Sequence, residues 1–193
     1  MNLSLKLPVL CAVTGALFAL AGNGSAHDLT SSADQAGHHA SRVKPSPLVD
    51  KVRAATRRYK NIDVALAEGW VPATPCVSGP NSGAMGVHYV LPDRVGDAVL
   101  SADVPEALIY EPLTNGRLRL VGVEFIVLAD VWNTANPDAQ PALDGHLLNL
   151  VSEPNRYRLP AFYELHVWAW ERNPNGNFAD WNSQVTCDQQ PNS

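Results

Sequence analysis

The spacing of hydrophobic and polar positions changes along the chain, and each change marks a different kind of element. From Ser46 onward, Leu48, Val52, Ala55, Tyr59, Ile62 and Leu66 recur at steps of four and three residues. That step puts them on one stripe of a helix. Ser46-Pro47 supplies an N-cap and a first-turn proline, Asn61 offers a break into two helices, and Gly69 closes the pattern. Lys51, Arg53, Arg57, Arg58 and Lys60 fall largely off the stripe, so this basic run is a solvated face rather than a binding patch.

Beyond Trp70 the helical period disappears. Val71 to Gly86 is rich in proline and glycine and reads as loop. Val87–Leu91 and Ala107–Glu111 are short strand candidates, and Asn115-Gly116 is a strong hairpin signal. Arg117–Ala129 is apolar on both faces, which predicts a central strand covered on both sides. Residues 130–160 return to loop character, with Leu147–Val151 a short strand or turn. Phe162–Trp170 then alternates: Glu164, His166, Trp168 and Trp170 on one face, Tyr163, Leu165, Val167 and Ala169 on the other. The expected fold is α+β, mainly an antiparallel sheet or barrel-like, with an N-terminal helical segment. Residues 46–190 form its single globular domain.

The ends of the chain add a compartment to this picture. Lys6, the apolar run Leu7–Ala21 and the small residues Gly24-Ser25-Ala26 follow the order of a signal peptide over residues 1–26, and the run is short for a membrane span. Residues 27–45 lack apolar periodicity and read as a flexible arm carrying His38 and His39, with His27 at its start. Without Cys11 two cysteines remain, and Cys76 paired with Cys187 suits an oxidising compartment, periplasmic or secreted. The loop they close is worth about 4–5 kcal/mol in the chain-entropy account. The formal net charge is −5, with no basic cluster, which argues against nucleic acid or an anionic membrane as partner. A small molecule is the partner class left open.

Candidate chemistry rests on polar groups inside apolar strands. Glu124 interrupts the longest apolar run, where an unpaired carboxylate would cost several kcal/mol. With His88 and His166 it makes a two-histidine, one-carboxylate metal set, and Glu164 is a fourth ligand or a support for the imidazole. These donor types suit zinc, iron, manganese or copper. The alternative is a non-catalytic ligand-binding or structural module in which the same residues form a buried hydrogen-bond network. Tyr89, Trp168, Trp170 and Trp181 are candidates to line a pocket for a sugar or other flat ligand, against the plainer role of core aromatics. Ser78 or Ser82 with His88 and Asp180 is a weak triad, lacking a nucleophile-elbow pattern.

Four stretches carry a resemblance: Gly83-Ala84-Met85-Gly86-Val87-His88-Tyr89, Pro105–Glu111, Leu120-Val121-Gly122-Val123-Glu124-Phe125, and Leu165–Trp170 followed by Asn173–Phe178 and Trp181-Asn182. Together they resemble an uncharacterised family of exported bacterial proteins, over about Tyr59 to Cys187. The resemblance implies export and no particular activity.

Overall fold

The structure is a computed structural model that describes residues 46–190. The expected signal peptide and arm, with Cys11, His27, His38 and His39, lie outside the described residues. The helical stripe is realised as Pro47–Thr56 (α1), a 3-10 turn over Arg57–Lys60, and Ile62–Ala67 (α2). Asn61 is the break, its side chain accepting the Asp63 N–H. Leu48, Val52 and Tyr59 are buried as expected and Val49 is buried with them, but Leu66 is half-exposed and Ala65 takes the inward position. The 3-10 turn has three residues per turn rather than 3.6, so it shifts the phase of the stripe that follows.

The sheet follows in order from the next strands. Val71–Pro72 (β1), Val77–Gly79 (β2) and Gly83–Val90 (β3) precede the short helix Pro92–Val95 (α3). Ala107–Pro112 (β4) and Leu118–Leu128 (β5) follow, then Ala129–Ala135 (α4), Ala142–Leu143 (β6) and His146–Leu147 (β7). Asn149–Val151 (β8) and Phe162–Val167 (β9) complete the set. The main sheet runs β1-β3-β4-β5-β9-β8, with β2 also on β3 and every pairing antiparallel. It is open, with β1 and β8 at its ends, and does not close into a barrel.

Alternation divides the sheet into two faces. Leu108, Tyr110, Val123, Phe125, Leu165 and Val167 pack with Leu48, Val49, Val52 and Tyr59 from the helical segment. The Tyr110 hydroxyl donates to the Tyr59 carbonyl at 2.7 Å and ties the two layers together. Ile109, Val121 and Trp168 occupy the opposite side with Ala84 and Val185. This is why β5 is apolar throughout its middle: both sides are covered.

The predicted alternation of the last strand holds through Ala169 and fails at Trp170. The N–H groups of Trp170 and Glu171 both reach the Val121 carbonyl, at 3.0 Å each, so two residues stand against one. Such a bulge re-aims the side chains beyond it. Trp170 therefore leaves the face of Glu164 and His166, joins the helical core, and donates from Nε1 to Thr56 Oγ1.

The C-terminal segment crosses back to β3, where Ala84 and Asn182 form an isolated bridge. Gly83 makes this approach possible. Its φ is +83°, and a Cβ there would sit 2.1 Å from the Asn182 carbonyl oxygen. The Cys76 and Cys187 sulfurs lie at bonding distance, with Cα atoms 5.6 Å apart across a separation of 111 residues. Among the described residues no helix is long and apolar enough to cross a membrane.

Candidate metal centre

Val90, Ala107, Glu124 and His166 stand directly opposite one another across β3, β4, β5 and β9. Directly opposed residues project to the same face, so Glu124 and His166 are neighbours there. His88 and Glu164, each two residues before a member of this row, share the face by the strand period. His88 stands opposite Ile109 and Glu124 opposite Ala107, so the two lie on a diagonal across β4, about 10 Å apart across the strands and two residues apart along them. Long side chains close this gap, bringing His88 Nε2 to 3.3 Å from Glu124 Oε2.

The four residues named from the sequence are all buried. The structure distributes them between two groups of potential ligands. His88, Glu124 and His166 offer atoms within 4.8 Å of one another, and so do Glu164, His166 and Asp180. His166 belongs to both. Its Nδ1 lies 3.7 Å from Asp180 Oδ1, and the two imidazoles meet edge to face with centroids 5.9 Å apart.

Hydrogen bonding is uneven across the site. His88 Nδ1 lies 3.2 Å from Thr74 Oγ1. The bond from Ala73 N–H to the His88 carbonyl extends the β1–β3 pairing and brings Thr74 to this place. His166 is 1 % exposed, yet neither ring nitrogen has a hydrogen-bond partner among the described residues, and nor has Glu164 Oε2. Buried polar atoms are nearly always satisfied, so three unpartnered atoms on two neighbouring residues set this site apart from the rest of the interior.

The titrations follow from burial. It lowers His88 to about 4, and with a smaller push from His88 it lowers His166 to about 3. Both rings are therefore neutral at neutral pH, the form that binds metals. Burial raises Glu124 well above the usual carboxylate range, and the neighbouring Glu164 adds to the rise. Burial also raises Glu164, with Glu124 opposing and Asp180 contributing, and it raises Asp180 as well. Among the described residues no lysine or arginine forms an ion pair with these three carboxyl groups; their close basic neighbours are the two histidines.

Beside His88 and Glu124 opens a small cavity of ≈ 50 Å³. Thr74, Val90, Ile126, Tyr157, Leu159 and Phe162 contribute to its wall. The Tyr157 hydroxyl lies 3.3 Å from Met85 Sδ, and its own titration is raised by burial and by the charges of Glu164 and Glu124. Space of this size admits a few atoms only.

The aromatic residues named from the sequence do not share a pocket. Tyr89 packs edge to face on Tyr110 beside the helical core, where Trp170 also lies. Trp168 is stacked on His166 at 6.3 Å, with its Nε1 donating to the Ala179 carbonyl. Trp181 rests against Gly79, with the Arg156 guanidinium 5.6 Å above its ring.

Asp180 is the group that sequence reasoning placed elsewhere, in a serine triad. The Trp168–Ala179 bond and a bond from Asn173 Nδ2 to the Trp181 carbonyl fix the residues on either side of it. The signal was the turn Asn173-Pro174-Asn175-Gly176, which folds the chain back toward the end of β9. Comparisons with family models, curated proteins and solved structures find no match to the chain.

Proposed function

We propose that this is an exported protein, periplasmic or secreted, that holds a divalent transition metal ion on His88, Glu124 and His166. The observation that carries the reading is His166, a neutral, fully buried imidazole whose nitrogens lack hydrogen-bond partners among the described residues and which stands beside a second imidazole and a carboxylate. The spacing fits as well. Ligands 2.0–2.1 Å from a tetrahedral ion lie about 3.4 Å apart, and His88 Nε2 and Glu124 Oε2 are separated by 3.3 Å. The Thr74 hydroxyl beside His88 Nδ1 can accept its proton in the tautomer that leaves the Nε2 lone pair free for an ion, the usual outer support of a metal-bound histidine. A bound cation also reverses the preference of the buried carboxyl groups for their neutral form.

Zinc, iron, manganese and copper all suit two imidazoles and a carboxylate. The cavity beside His88 and Glu124 is where a small molecule would reach the ion. The reading as a purely structural network draws on the direct His88–Glu124 approach. A charge-assisted pair would close to about 2.7–2.9 Å, and a network leaves His166 unsatisfied.

Metal content tests the proposal. The full chain carrying His27→Ala, His38→Ala and His39→Ala removes the N-terminal histidines as competing ligands. Elemental analysis of this protein is expected to find at least one ion per chain, less metal in His88→Ala and none in His166→Ala. No metal after reconstitution with zinc, iron(II), manganese(II) and copper(II) in turn would refute the reading.

A further inference from the structure

We infer that the pocket takes two cations, with a second site on Asp180, Glu164 and the far side of the His166 ring. The inference rests on the metal reading above and deepens it. Two groups of ligands with one shared imidazole are the geometric basis. His166 Nδ1 lies 3.7 Å from Asp180 Oδ1, with no hydrogen bond formed between them. Glu164 Oε2 is the other buried atom here without a partner, although the residue is only 4 % exposed. Asp180 is more open, with its side chain 38 % exposed, and gives the second ion a route from solvent. In this arrangement one ring nitrogen serves each ion, and His166 gives up its remaining N–H proton to solvent to become a bridging imidazolate.

Charge supports two ions over one. Glu124, Glu164 and Asp180 bring three carboxylates into a space where, among the described residues, no lysine or arginine pairs with any of them. A single divalent ion on the first site leaves Glu164 and Asp180 without a cation, to be held as neutral acids; a second ion lets them serve as carboxylate ligands. Three carboxylates and an imidazolate carry four negative charges, which two divalent ions balance. The site that results is a buried, neutral, two-metal centre beside a cavity for a small ligand.

Copper(II) is the probe, in the full chain carrying the three N-terminal histidine substitutions. At saturation, followed by removal of loose ions over a desalting column, two coppers per chain are expected. Imidazolate bridging couples their spins, so the ordinary signal of isolated copper(II) in electron paramagnetic resonance should be largely absent. Asp180→Asn, a change at a half-exposed position, should hold one copper and restore that signal, with its circular dichroism spectrum unchanged. One copper in the parent protein overturns the inference while leaving the first site standing. That holds equally if Asp180→Asn then weakens the single ion, because Asp180 would be the hydrogen-bonding support of His166 instead. Two coppers with uncoupled signals, or an Asp180→Asn variant still holding two, also overturn it. No copper at all, or any other divalent ion, removes the metal reading itself.

Discussion

Glu106 offers a test of how this interior treats carboxyl groups, independent of any metal. It precedes β4, is 1 % exposed, and its Oε2 accepts the Ile126 N–H at 3.0 Å. Burial raises its pKa from an ordinary 4.5 to about 8, against the lowering effect of that backbone hydrogen bond. In the folded protein it is therefore an uncharged acid at neutral pH, whereas in the unfolded chain it ionises near 4.5. The sign follows directly. Between those two values the unfolded state binds fewer protons, so stability falls as pH rises. The contribution is complete below pH 4.5, shrinks through neutrality, and levels off above about pH 8.

The substitution Glu106→Gln keeps an oxygen acceptor for Ile126 and removes the titration. Over the interval from pH 5 to pH 7, the stability of the unsubstituted protein relative to this variant should fall by about 2–3 kcal/mol. For a domain of this size that is roughly 5–10 °C in melting midpoint. The assay is urea unfolding followed by tryptophan fluorescence at the two pH values, with a chelator present throughout. Glu124 and Glu164 titrate in the same direction, but they are present in both proteins and largely drop out of the difference. A gap between the two proteins that is the same at both pH values would refute the claim that burial keeps Glu106 protonated at neutral pH.

Two further outcomes follow from the architecture. Gly83→Ala should destabilise the fold by more than about 2 kcal/mol, because alanine is strained at this φ and its Cβ meets the Asn182 carbonyl; chemical denaturation measures it, and an unchanged midpoint would show that the bridge to Asn182 is not formed. Replacing Cys76 and Cys187 together by serine should cost about 2–5 kcal/mol, read as a lower unfolding midpoint that reducing agent lowers no further.

The strands were legible where one residue pattern meets one physical demand. The apolar run of β5 implied cover on both faces, and Asn115-Gly116 implied the hairpin that pairs it with β4; both are present. His88, Glu124, His166 and Glu164 could be named because each is a polar group inside an apolar strand. What the pattern could not carry was geometry created by irregularities. The bulge against Val121 turns Trp170 to the helical side, and strict alternation contains no sign of it. The phase shift at the 3-10 turn exposes Leu66 in the same way. Asp180 lies on a loop, where no periodicity exists to assign it a face. Its place beside His166 depends on hydrogen bonds made by Trp168 and Asn173 to backbone carbonyls.

The choice between a metal centre and a structural network turns on what unsatisfied atoms cost. Leaving a buried donor or acceptor without a partner costs about 1–3 kcal/mol, and a domain has only about 5–15 kcal/mol of net stability. Among the described residues His166 and Glu164 together leave three such atoms in one cluster of side chains. A network kept for stability should saturate itself, since a partly satisfied one is worse than an apolar replacement. Leucine or methionine at position 166 could fill the space beside Trp168 with no polar atom to satisfy. Ligand binding reverses this balance, because an ion that binds only the folded state stabilises it by about 2.7 kcal/mol at a hundred times its dissociation constant. The same orphaned atoms that burden a network are the donors a metal requires. Polar groups that a strand would be more stable without, brought together on one face of the sheet, are therefore better explained by what they bind than by what they hold together.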